Sequence, residues 1–238
     1  MTPSNAAATS GRALPVLLAL LAGYLDGYGL RFLGAYVSFM SGNTTNTGMY
    51  SGERAFHAAL PSAVAIALFT TGSVFGNLVV HSRLRQSHRV VFGVIAGLLA
   101  AAAVLEQAAV AIAVLEIAII SLAMGMMNPA VSKIGSEPVS LTFVTGTLNR
   151  MGGHLAAALS PQLMGSIESR SSQLFRAGIN ASMWSGFLVG AILSGLLSSS
   201  WKQWALWPPC LVIPALALFG RLTLSPGTAV SHATDQPA

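Results

Sequence analysis

The chain has 238 residues, 53% of them hydrophobic and only 8% charged, with a formal net charge of +5. A soluble domain carries about 25% charged residues, and here the apolar residues fall in runs of roughly 20, enough to cross a hydrocarbon core of about 30 Å as a helix. This excludes a soluble α/β protein, and the twelve Lys and Arg residues, scattered between apolar runs, do not form the basic face that nucleic-acid binding needs.

Residues 1–13 form an N-terminal tail. Arg12 followed by the apolar run Ala13–Ala22 resembles the start of a signal peptide. The run continues through Tyr24 and Leu25 to Leu33, so we read Leu14–Leu33 as a retained first span. The later spans are Ala58–Val80, Val90 to about Ile112, about Ala113–Val131, Gly178–Ser198 and Gln203–Gly220, followed by a tail over 223–238. The turn between the third and fourth is marked only by Glu106 and Glu116. Leu155–Ile167 is short and contains Pro161, which suits a re-entrant or interfacial helix better than a span. The single cysteine, Cys210, lies in an apolar run and leaves no intrachain disulfide to form.

Positive charge orients the chain, because cytoplasmic loops carry the excess of Lys and Arg. With six spans and the N-terminus inside, Arg12, Arg83, Arg85, Arg89, Lys133, Arg150, Arg170, Arg176 and Arg221 lie inside, and only Arg31, Arg54 and Lys202 lie outside. A seventh span would reduce this bias of nine against three to seven against five. Both termini are therefore expected in the cytoplasm of a bacterial cell, with Trp201, Trp204 and Trp207 at the outer interface.

The sequence repeats weakly at a period near 104. Phe39-Met-Ser-Gly-Asn-Thr-Thr-Asn-Thr-Gly48 aligns with Phe143-Val-Thr-Gly-Thr-Leu-Asn-Arg-Met-Gly152. Gly23-Tyr-Leu-Asp26 aligns with Gly125-Met-Met-Asn128 at an offset of 102, and Gly72-x-x-x-Gly76 with Gly186-x-x-x-Gly190 at 114. Three spans per half, 14–112 and 113–222, place the second half upside down relative to the first, the inverted repeat found in transporters. The expected fold is thus all-α: a single membrane domain of six transmembrane helices in two inverted three-helix repeats, with short re-entrant or interfacial half-helices.

Ala22-Gly-Tyr-Leu-Asp26, Val37-Ser-Phe-Met-Ser-Gly-Asn-Thr-Thr45, Gly125-Met-Met-Asn128 and Thr145-Gly-Thr147 together resemble the signatures of the YoaK-type family of bacterial inner-membrane proteins, a domain of unknown function. The resemblance covers nearly the whole chain and implies a small six-helix inner-membrane protein. It implies no chemistry. Pro129 departs from the small residue expected after Asn128.

Each Ser/Thr-Gly motif suits the opening of a helix, with unpaired N–H groups at its start. Two such half-helices could form a polar centre between the repeats; alternatively, both motifs are polar turns whose small residues only permit tight packing. Asp26 lies about 18 Å along its helix from Leu14, and a carboxyl group at such depth is a functional hypothesis by default. It serves either a solute or the motif backbone, or it pairs with Arg31. The expected solute site is Asp26, Ser41, Gly42, Asn43, Thr44, Asn128, Thr145, Gly146 and Thr147. His57 and His154 lack metal-ligand spacing, no catalytic or cofactor motif occurs, and no cofactor is implied. The Gly-x-x-x-Gly pairs suit close helix packing, within one chain or in a homo-oligomer.

These features point to a secondary transporter or channel for a small polar solute in the lipid bilayer, with an intramembrane enzyme or a non-catalytic scaffold as the alternatives. Two facing helix N-termini favour an anion or an electron-rich oxygen, so an anionic or neutral polar solute taken with a protonated Asp26 balances the charge.

Overall fold

The computed structural model describes residues 3–82, 84, 86–107, 113–130, 133–134, 137–138, 141–160, 169–200 and 204–219. Its helices, in chain order, are α1 (Pro3–Tyr28), α2 (Met40–Gly52), α3 (Phe56–Val80), α4 (Ser87–Gln107), α5 (Ala113–Met127), α6 (Val144–Leu159), α7 (Arg170–Ser200) and α8 (Trp207–Phe219). A π-helical turn, Gly29–Leu33, prolongs α1, and a 3-10 turn, Asn128–Ala130, prolongs α5. Among the described residues the strand pairing is minimal, Lys133–Ile134 against Glu137–Pro138.

Five of these helices are long and apolar enough to cross a membrane: Ala13–Leu33, Phe56–Val80, Ser87–Gln107, Ala113–Ala130 and Arg170–Leu197. They correspond to the first five expected spans. The sixth falls on α8, which is 13 residues long and contains Pro214; residues 201–203 and 220 lie outside the described residues. Of the short helix expected at Leu155–Ile167, residues 155–159 are helical and form the end of a helix that starts earlier, Val144–Leu159. It therefore begins in the second motif, with Phe143 as an N-cap that makes no side-chain bond and the Thr-Gly pair already inside the first turn, and its polar first half (Thr145, Thr147, Asn149, Arg150) is what conceals it from a search for apolar runs. Residues 161–168 lie outside the described residues.

Small residues decide which helices meet. In lipid, apolar side chains gain little by pairing with one another, so association relies on close backbone approach at Gly, Ala and Ser. A Cβ on Gly23 would strike the Phe187 carbonyl, and one on Gly190 the Leu20 carbonyl. Gly186 faces Val16 and Gly27 faces Ser194, so contacts advance together along α1 and α7 and the two run parallel. The same holds for α3 and α5: Gly72 meets the Leu122 carbonyl, Gly125 the Phe69 carbonyl, and a Cβ on Gly76 would stand 2.8 Å from the Met126 carbonyl. Both Gly-x-x-x-Gly pairs thus pack within the chain.

The α1 span lies at the centre, with 67% of its most apolar window buried, whereas α3 buries only 17%. Leu18 and Leu25 of α1 are fully enclosed with Ile95 and Leu99 of α4 and Ile117, Ile120, Met124 and Met127 of α5.

Candidate functional site

Gly34, at φ 73°, ends the first span in the left-handed conformation that glycine adopts without cost, and the chain turns back toward the α1 axis. Residues 35–39 then pass alongside Asp26 before α2 begins at Met40. Asp26 is 3% exposed. Its Oδ1 accepts from the backbone N–H of Val37 (2.9 Å), Ser38 (2.7 Å) and Phe39 (3.3 Å), and its Oδ2 accepts from the Ser38 hydroxyl (2.7 Å). These are the bonds of the backbone-capping alternative. Arg31 does not pair with Asp26; its guanidinium stands 5.8 Å from the centre of the Phe32 ring.

Asn43, fully buried one turn into α2, completes the clamp. Its Oδ1 accepts from the Tyr36 N–H (3.0 Å) and its Nδ2 donates to the Tyr36 carbonyl (2.6 Å). Gly42 leaves room for aromatic rings: a Cβ there would lie 2.7 Å from Phe39 and 2.9 Å from Tyr36. Ser41 and Thr44 point outward, and the Thr44 hydroxyl donates to the Met40 carbonyl (2.8 Å).

The second motif builds a simpler version of this entry. Asn128 Nδ2 donates to Thr142 Oγ1 at 3.0 Å, and Thr142 stands 104 positions after Ser38. Thr147, the counterpart of Asn43, is buried and donates to the Phe143 carbonyl (3.0 Å). Gly146 lies under the Phe143 ring as Gly42 lies under Phe39, and Thr145 is exposed. His154, on α6, bonds to Gln173 Oε1 of α7 at 2.7 Å.

The expected residues therefore gather in two places. Asp26, Gly42 and Asn43 form one entry with Ser38; Asn128, Gly146 and Thr147 form the other with Thr142. A bond from the Tyr28 hydroxyl to Glu116 Oε1 (2.5 Å) sets the relative depth of α1 and α5. The strand Lys133–Ile134, which follows α5, packs on α1, so α1 and α5 run antiparallel. Asp26 lies two residues from Tyr28 and Asn128 twelve from Glu116 in the same direction, and the entries stand about 15 Å apart at 1.5 Å per residue. Apolar core residues such as Leu18, Ile120 and Met124 fill the interval.

Tyr28 and Glu116 were not among the expected site residues. Glu116 reads as a turn marker in sequence, yet it is 3% exposed in the first turn of α5. The signal was Tyr24 and Tyr28, four residues apart on one face of an apolar helix. The Tyr24 hydroxyl likewise donates to the Ala205 carbonyl at 2.6 Å, just before α8.

Comparison with known proteins addresses the whole fold. A family model described as "Protein of unknown function (DUF1275)" matches residues 14–219. The chain belongs to the DUF1275 family. It is also 34% identical over 205 residues to a UPF0700 transmembrane protein of Rhizobium meliloti (strain 1021), covering 84% of this chain and 82% of that one. No solved structure matches. The DUF1275 match contains both motifs and, but for Ala13, the five spans, and with the similarity to a transmembrane protein it supports a multi-pass membrane protein of an uncharacterised family.

Proposed function

We propose that the chain is a secondary transporter for a small polar or anionic solute, built from two inverted halves in a bacterial inner membrane with both termini in the cytoplasm. The observation that carries this reading is the pair of half-length helices, α2 and α6, each entered through a Ser/Thr-Gly motif tied to a polar residue of the preceding span. Helix exchange supports the inversion. The first helix of each half packs in parallel on the third-in-order helix of the other, α1 on α7 and α5 on α3, through glycines at repeat-related positions. Two halves of opposite orientation place these partners parallel.

The apolar interval between the entries favours a transporter over a standing channel, because polar solutes do not cross enclosed Leu, Ile and Met side chains without rearrangement. The entries also differ in charge. Asp26 neutralises the start of α2, whereas α6 opens beside neutral Asn128, and this supports an anion or an electron-rich oxygen at the second entry.

Purified protein should gain thermal stability with one class in a panel of small organic anions and neutral polar solutes, and proteoliposomes should show saturable flux of that class. A preference for cations would overturn the anionic reading. Turnover of a lipid without flux would make the chain an enzyme, and co-purification with a protein partner without either would make it a scaffold. The orientation is tested separately: reporter fusions at Ser87 and Ser231 should read cytoplasmic and one near Gly52 periplasmic, and a periplasmic C-terminus would remove the six-span inverted arrangement.

A further inference from the structure

We propose that the Tyr28–Glu116 hydrogen bond is the outer gate of the transport cycle, with Glu116 the carboxyl group that meets the outside solution when the gate opens; this rests on the transport reading. The glycine contacts leave no space for α1 to slip along α7, or α3 along α5, so each pair moves as one body. Relative motion falls between the pairs. The bonds of Asp26 all lie within the segment from α1 to the start of α2 and survive such motion. The Tyr28–Glu116 bond does not, because it joins α1 of one pair to α5 of the other.

Its surroundings suit a closure. Tyr28 is 1% exposed and Glu116 3%, and Glu106, from the last turn of α4, lies near the same hydroxyl. The Tyr24–Ala205 bond draws the segment before α8 onto α1 at the same end. The repeat does not copy this pair: at the 102-residue offset Tyr24 and Tyr28 become Met126 and Ala130, both apolar and buried. A phenol donating to a buried carboxylate is a strong hydrogen bond, and parting the two in a dry interface is costly. Opening therefore has to bring water or solute to Glu116 as the bond breaks.

The test uses labelling, independent of any solute. In full-length protein carrying Cys210→Ala, an Ala22→Cys reporter sits on the buried face of α1, about 9 Å inward of Tyr28. A charged, membrane-impermeant methanethiosulfonate reagent is added outside right-side-out vesicles. Tyr28→Phe should raise the labelling rate about tenfold, the change in open population that losing one such bond gives. Glu116→Gln, which keeps an acceptor for the phenol, should raise it less and serves if the phenylalanine variant does not fold. Unchanged labelling in folded Tyr28→Phe protein overturns the gate, as does an equal rise from the inner face of inside-out vesicles. Faster outer labelling in a protein that moves no solute would retain the gate and remove the transport reading, whereas solute flux with unchanged labelling would do the reverse.

Discussion

Asp26→Ala is expected to lower the stability of the detergent-solubilised protein by about 3–5 kcal/mol, since it strips several buried donors of their acceptor at about 1–3 kcal/mol each. The donors are the N–H groups of Val37, Ser38 and Phe39 and the Ser38 hydroxyl, all bonded to this one carboxylate. Asp26→Asn should cost less. Its remaining oxygen serves the backbone donors, and the Ser38 hydroxyl can rotate to accept from the new amide. Thermal unfolding of the two variants separates the roles of the residue. A graded loss, alanine worse than asparagine, is the signature of a clamp that holds the entry of α2. Native stability in the asparagine variant with abolished flux would instead place Asp26 in the solute path. Ser38→Ala should fall between wild type and Asp26→Ala, because it removes one of the four bonds.

The largest effect is expected where helix backbones touch. Gly190→Leu and Gly125→Leu should abolish the folded, monodisperse protein on size-exclusion chromatography after detergent extraction. Even a single Cβ at Gly190 meets the Leu20 carbonyl, and one at Gly125 meets the Phe69 carbonyl. The obstacle is main chain and has no rotamer to adopt, so the cost exceeds the about 1–3 kcal/mol of ordinary overpacking. Gly93→Leu and Gly97→Leu in α4 are the controls. Nothing lies within 4 Å of a Cβ at either position, so both should be recovered at the wild-type level. Equal loss at all four positions would mean that glycine matters here through helix insertion and not through packing.

The sequence alone determined that the chain is a multi-pass membrane protein, where its first five spans lie, and which small residues punctuate them. These follow from local properties: an apolar run of sufficient length crosses a bilayer wherever it occurs, and a Ser/Thr-Gly pair marks the neighbourhood of a helix start, although the N-caps are Phe39 and Phe143 and neither makes a side-chain cap. The start of α2 was legible for that reason, and so was the weight placed on Asp26. Other features depend on which segments meet. The shared motifs suggested one polar centre, but the depth set by Tyr28 and Glu116 separates Asp26 from Asn128 by an apolar interval. Gly42 and Gly146 were expected in the solute site, and only the tertiary structure places the rings of Phe39 and Phe143 above them. Glu116 looked like the edge of a turn, and only the docking of α1 on α5 gives it a phenol partner. A carboxyl group reads the same in sequence whether it faces water, a backbone N–H or another helix. Its partner is fixed by tertiary contacts between residues far apart in the chain, and in a membrane, where every buried polar group must find a donor or acceptor inside the protein, that partner decides what it does.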